Sequence, residues 1–192
     1  MNRRKWFYRY QPDADFLDAL IDDIEEAQRN MLIALMDTPG IRSGFEVTQR
    51  GAGINFSVDV DEGIAWDASG RRISNGATQN VPFTMDIYGA TIAVTSLHER
   101  QVGVFVRYKI IDDPESATTD GLGDTVYTYQ LESREFALVQ GDVATIGASS
   151  PPATPDGGYI RLADVTIFES DTTIATGDIN MGVKDVFTPY VP

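Results

Sequence analysis

Few residues in this sequence could act as a nucleophile, a base or a metal ligand, and their spacing limits what they could do. The 192 residues contain no cysteine and a single histidine, His98. Thiolate catalysis, thiolate metal sites and a disulfide framework are therefore excluded. His98 sits in Ser96-Leu97-His98-Glu99-Arg100, which reads as a polar surface turn between strands, with no second histidine or cysteine to share a metal or a triad. H-E-x-x-H, G-x-S-x-G and a phosphate-binding glycine loop are all absent.

Carboxylates are the remaining candidates. Residues 112–125, DDPESATTDGLGDT, carry Asp112, Asp113, Glu115, Asp120 and Asp124, a composition that raises the question of calcium. A calcium loop needs its ligands at fixed spacing around a turn glycine, and D-x-[DN]-x-[DN]-G does not occur, so a long solvated loop is expected. Asp59 and Asp61 share one strand face about 7 Å apart by strand rise. Any wet strand face produces that spacing, and it does not define a glycosidase pair. The expectation is a protein that is not an enzyme, with no catalytic, cofactor-binding or metal-binding residues.

Charge narrows the partners. Fifteen basic residues stand against 29 acidic ones, a formal charge of -14 with a pI near 4.3, which repels nucleic acid and anionic membranes. No apolar run approaches the roughly 20 residues that span a bilayer, and the basic start of the chain has no apolar segment behind it. Neither nucleic-acid binding nor membrane insertion is expected, and the chain reads as made and kept in the cytosol until it is assembled.

The elements that organise the chain begin with residues 1–12, MNRRKWFYRYQP, a basic aromatic arm on an otherwise acidic protein. Arg and aromatics are enriched at interfaces, so Arg3, Arg4, Trp6, Phe7, Tyr8 and Tyr10 are candidates for partner docking, against the plainer reading of a frayed terminus. Residues 13–37 then form an amphipathic helix, started by Pro12 with Asp13 and Asp15 and stopped by Pro39-Gly40. Its apolar stripe includes Leu17, Leu20, Ile21, Ile24 and Met31. Leu17, Ile24 and Met31 are seven apart, as are Leu20, Ala27 and Ala34, so the stripe suits either the protein's own sheet or a short coiled coil between chains.

From residue 43 to 192 the period becomes two, the mark of a β domain. Phe45 and Val47 face Ile54, Phe56, Val58 and Val60 across a hairpin. Asp67-Ala68-Ser69-Gly70 turns the chain between two further strands, with the Asp bonding its own backbone and the Gly taking a positive φ. Pro82 suits an edge strand in residues 79–84, and a short strand is read at residues 91–95. Residues 101–111 should be central, because Val102, Val104, Val106, Tyr108 and Ile110 line one face while Phe105 and Ile111 lie on the other. Strands follow at 126–131 and 135–139, then a proline-rich linker at 148–158. In the strand at 159–168 the apolar alternation changes phase near Leu162, which a bulge would reconcile. A short strand or an extended tail is expected at 173–174 and 183–190. The fold class is mainly β, an antiparallel β-sandwich or barrel-like body with one long N-terminal amphipathic α-helix.

Two runs are more specific. GINFSVDVDEGIAWDASGRRI, residues 53–73, resembles a hairpin near the start of many tailed-bacteriophage baseplate and tail-fibre attachment proteins. SSPPATPDGGYIRLADVTI, residues 149–167, is similar to the proline-rich spacer and Gly-x-Ile-x-Leu-Ala-x-Val-x-Val segment of the same proteins. With the strands between them the resemblance covers roughly residues 45 to 168. It implies a virion tail component, assembled in the host cytoplasm, that binds other tail, baseplate or fibre proteins and forms a homo-oligomer, a trimer by preference. Tail fibres usually continue into a shaft and tip, whereas this sequence stops at Pro192, so the resemblance implies an adaptor between tail and fibres. A polysaccharide- or receptor-binding module and a tail-associated glycan-degrading enzyme are the alternatives.

Overall fold

The computed structural model describes residues 14–51, 55–94, 97–112, 117–119, 125–127, 130–169 and 171–191. The fold is mainly β, with antiparallel ladders in a sandwich-like body and one N-terminal helix. Helix α1 is Ala14–Leu35, two residues shorter at its C-terminal end than the periodicity suggests. The chain leaves it directly into β1 (Met36–Thr38), which pairs with β15 (Thr188–Pro189) near the C-terminal end. Tyr190 N–H donates to the Leu35 carbonyl at 2.8 Å, satisfying one of the carbonyls a helix end leaves open. The β region therefore begins at Met36, earlier than residue 43, because long-range pairing with the tail overrides the local stop signal.

After β2 (Gly40–Gly44), β3 (Val47–Gln49) and β4 (Ser57–Val60) form the expected hairpin, with Val47 opposite Val60. β5 (Gly63–Trp66) and β6 (Arg72–Asn75) form the next. In the turn between them Asp67 accepts the Ser69 and Arg71 N–H groups at 2.9 and 2.8 Å, and Gly70 has φ +72. β7 (Gln79–Pro82) closes the β3-β4-β7 sheet as its edge, where Pro82 costs no ladder bond. The strand read at residues 91–95 is reduced, within its described part, to one bridge between Met85 and Thr91.

The second layer is built on β8 (His98–Asp112), flanked by β11 (Gln130–Gln140) on one side and β13 (Ile160–Phe168) on the other. β12 (Ala144–Thr145) continues the β11 side and β14 (Ile179–Asn180) lies beyond β13. His98 opens β8 rather than lying in a turn, since its ladder with Thr145 extends the strand. Within residues 112–125, Ala117–Thr119 (β9) and Thr125–Tyr127 (β10) pair as a hairpin, so that stretch is not simply a loop. The strand read as starting at residue 126 is divided between β10 and a continuous β11. The register of β13 on β8 slips between Arg161 and Ala163, which is the bulge the alternation required at Leu162.

Val102, Val104 and Val106 on β8, with Leu138, Ile160 and Val165, are buried against Val47, Val58, Val60, Ile73 and Phe83 of the smaller sheets. The outer face of β8 is covered as well. Phe105 is buried beside Ala137 and Val139, with the Tyr159 ring edge-on at 6.4 Å and the Arg161 guanidinium 5.1 Å from the Phe105 centroid. Residues 148–158, read as a proline-rich linker, complete that cover as a strap lying on the sheet. Pro152 is buried, its carbonyl accepts Arg161 Nη2, and Arg161 Nη1 holds Asp164 at 2.8 Å.

Buried Glu99 anchors the strap by accepting the Ser149 N–H at 3.0 Å and its hydroxyl at 2.5 Å. The Ser149 hydroxyl, followed by the backbone N–H groups of Gly147 and Ser149, holds the Glu99 carboxyl below its ordinary range. A carboxylate whose folded pKa is depressed stabilises fully above its unfolded value and loses that contribution as pH falls through the folded one. Glu99→Ala should cost about 1–3 kcal/mol at neutral pH in denaturant unfolding. The gap from wild type should close below about pH 4; a gap that persists in acid would contradict the anchor.

Candidate association surface

The stripe predicted for association lies open on α1. Met31 is 66% exposed, Ile21 53%, Ile24 50% and Leu17 43%, with Leu20 half-buried. No described side chain from Leu17 to Leu35 is fully buried. Helices in proteins are held chiefly by burying an apolar face, and an isolated one of this length is marginal in water. The stripe thus has the composition of a buried surface without the burial.

The helix period sorts these residues into two sides. Leu17, Leu20, Ile24 and Met31 cluster on one side, and Arg29 and Ile33 fall roughly opposite. That opposite side touches the body at the β5–β6 turn, where a Cβ on Gly70 would come 2.8 Å from the Arg29 carbonyl and 3.2 Å from Ile33 Cγ1. Arg71, next in the turn, stacks its guanidinium 5.1 Å from the centre of the Tyr108 ring. Burial first, then the hydrogen bond to Glu132, pushes the Tyr108 hydroxyl up to about 12, with Glu25 of α1 contributing. The helix is seated on this turn by its Arg29 and Ile33 side, leaving the stripe outward.

Other apolar side chains are exposed nearby in sequence order or by pairing. Leu35, hydrogen-bonded through its carbonyl to Tyr190, is 55% exposed, and Tyr190 and Val191 are exposed too. Ile110, Ile111 and Leu131 lie open where β8 and β11 extend together. The faces read for Ile110 and Ile111 on the central strand are thus open at this end, because alternation places apolar residues on a face without saying whether anything covers it.

Two concave regions adjoin the sandwich. One, about 510 Å³, lies between the edge strands β7 and β11, lined by Asn80, Pro82, Ile87, Phe136 and Tyr159, with Arg107 and Glu135 beside them. Glu135 bonds both Arg107 and Lys109; the Lys109 hydrogen bond, opposed by burial and reinforced by Arg107, holds its carboxyl below the ordinary range. The other, about 500 Å³, lies between exposed Tyr88 and the strap.

The docking residues Arg3, Arg4, Trp6, Phe7, Tyr8 and Tyr10 lie outside the described residues. Asp59 Oδ1 accepts from Asn80 Nδ2 at 3.1 Å and Asp61 Oδ1 from Thr78 Oγ1 at 3.0 Å. Among the described residues no group of three or more His, Asp or Glu is placed to hold a metal ion.

The seat of α1 is testable at Gly70. Gly70→Ala forces a side chain into a left-handed conformation, costing about 1–2 kcal/mol, and sets its Cβ against the helix backbone. Melting should show the loss, and limited trypsin cleavage after Arg29 should accelerate; unchanged cleavage would contradict the docking of α1 on this turn. Set beside known proteins, the chain matches no family model and no curated protein.

Proposed function

We propose that this chain is a structural adaptor of a phage tail or baseplate, connecting tail to fibres through protein–protein contacts and self-associating through α1. The observation that carries the reading is the apolar stripe of Leu17, Ile24 and Met31, exposed on a helix that buries no described side chain of its own. A coiled-coil seam supplies the burial such a helix lacks, and the seven-residue spacing fits one. The two runs that resemble attachment proteins support the setting. The described part of the first forms β4, β5 and β6, and the second forms the strap and β13.

The partners in this reading are further copies of the chain, as a trimer, and other tail, baseplate or fibre proteins. Its place is the virion tail after assembly in the host cytoplasm. The function assigned is binding, with no catalytic residue. A second reading, a polysaccharide- or receptor-binding tail module, is favoured by Tyr88, 73% exposed at the mouth of the strap groove.

The double variant Ile24→Asp, Met31→Asp separates association from folding. Sedimentation should show an oligomer for wild type and a monomer for the variant. The β body should melt within about 0.5 kcal/mol of wild type, as for other surface changes. An unchanged mass would contradict association through the stripe. Antibody against the chain should label intact particles at the tail, and particles that carry no label would contradict the adaptor role.

A further inference from the structure

The groove between β7 and β11 has the backbone chemistry of a vacant strand position. In an antiparallel ladder, successive residues turn their N–H and C=O alternately toward the partner and away from it. Gly141 N–H donates to Gln101 of β8, so odd-numbered residues at this end of β11 face β8. Leu138 turns the other way, its carbonyl accepting the Ile87 N–H at 3.0 Å. By the same alternation Phe136, Arg134 and Glu132 present their backbone groups to the open side, and β11 has no second strand partner among the described residues.

The opposite wall is different. Phe83 N–H donates to Phe56 beside β4, so Val81 and Gln79 also face β4, while Asn80 and Pro82 face the groove. Pro82 has no N–H to offer, which blunts this edge. An added strand would bond to β11 and use β7 as a side wall. The groove's volume of about 510 Å³ and its apolar lining of Ile87, Phe136 and Leu138 suit a short extended segment whose inner face is aromatic.

One segment of this chain has that pattern. In residues 5–10, KWFYRY, the even positions are Trp6, Tyr8 and Tyr10 and the odd ones are Lys5, Phe7 and Arg9. An extended strand would place three aromatics on one face and two cations on the other. Residues 1–12 hold four basic and no acidic residues in a chain of net charge -14, so the arm is attracted to the surface of any copy.

We propose that residues 5–10 of one copy add as a strand to the β11 edge of a second copy, pairing with Glu132, Arg134 and Phe136. This rests on the self-association reading and names its second contact: α1 gathers the copies and the arms lock them.

Amide hydrogen exchange on the full chain tests it. At concentrations where the oligomer forms, the Arg134 and Phe136 amides should exchange about tenfold or more slowly than at dilution. That protection should vanish in Trp6→Ala, Tyr8→Ala, Tyr10→Ala while Asn80 changes little. Exchange at Arg134 and Phe136 that is the same in both proteins at all concentrations overturns strand addition, even if the oligomer persists and the association reading stands. Protection that depends on the aromatics but not on concentration also overturns the proposal, since the arm would then occupy its own chain's groove. Arm-dependent protection that stays intact in Ile24→Asp, Met31→Asp after the oligomer is lost overturns it for the same reason, while loss of the protection together with the oligomer supports it.

Discussion

The body depends on β8 being covered on both faces. Val102, Val104 and Val106 point into the sandwich core, and Phe105 points the other way into a smaller cluster roofed by the strap, Tyr159 and Arg161. A sheet with one wet face needs only alternation, but one covered twice needs a second layer, which residues 148–158 provide. The polar groups brought under this roof are matched. Glu99 receives Ser149, and Arg161 spans Asp164, Pro152 and the Phe105 ring. Asp164 is itself almost fully buried, and desolvation raises its pKa despite the adjacent Arg161. The arrangement is held by mutual compensation, as buried polar groups must be.

The helix obeys the opposite economy. It is fixed by its C-terminal end, through Tyr190 on Leu35 and the close approach of Gly70 to Arg29, while its apolar side faces away. The tail that caps it also joins the body, with Asp185 bonded to Ile41 and Arg161. Helix and body therefore share an anchorage but not a core. An apolar face left outside a well-packed sandwich is the kind of surface that association covers.

Much of the body was legible because its signals are local. The Asp67 turn, the edge proline at position 82 and the phase change at Leu162 each follow from backbone chemistry within a few residues. The start of β1 was not, because Met36–Thr38 becomes a strand only by meeting Thr188–Pro189 at the far end of the chain. Where the strap docks was not legible for a related reason: proline-rich composition describes a stiff extended segment, and says nothing of the Glu99 carboxylate about fifty residues earlier. On α1 the stripe was readable, but its outward direction was set by the Gly70 contact, which no periodicity contains.

Dilution of the wild-type chain, followed at once by sedimentation and by the helical circular dichroism signal, tests the central claim that α1 is completed by other copies. Mass and helical signal should fall together over the same concentration range while the β signal holds. A monomer that keeps its full helical signal at every concentration would contradict it.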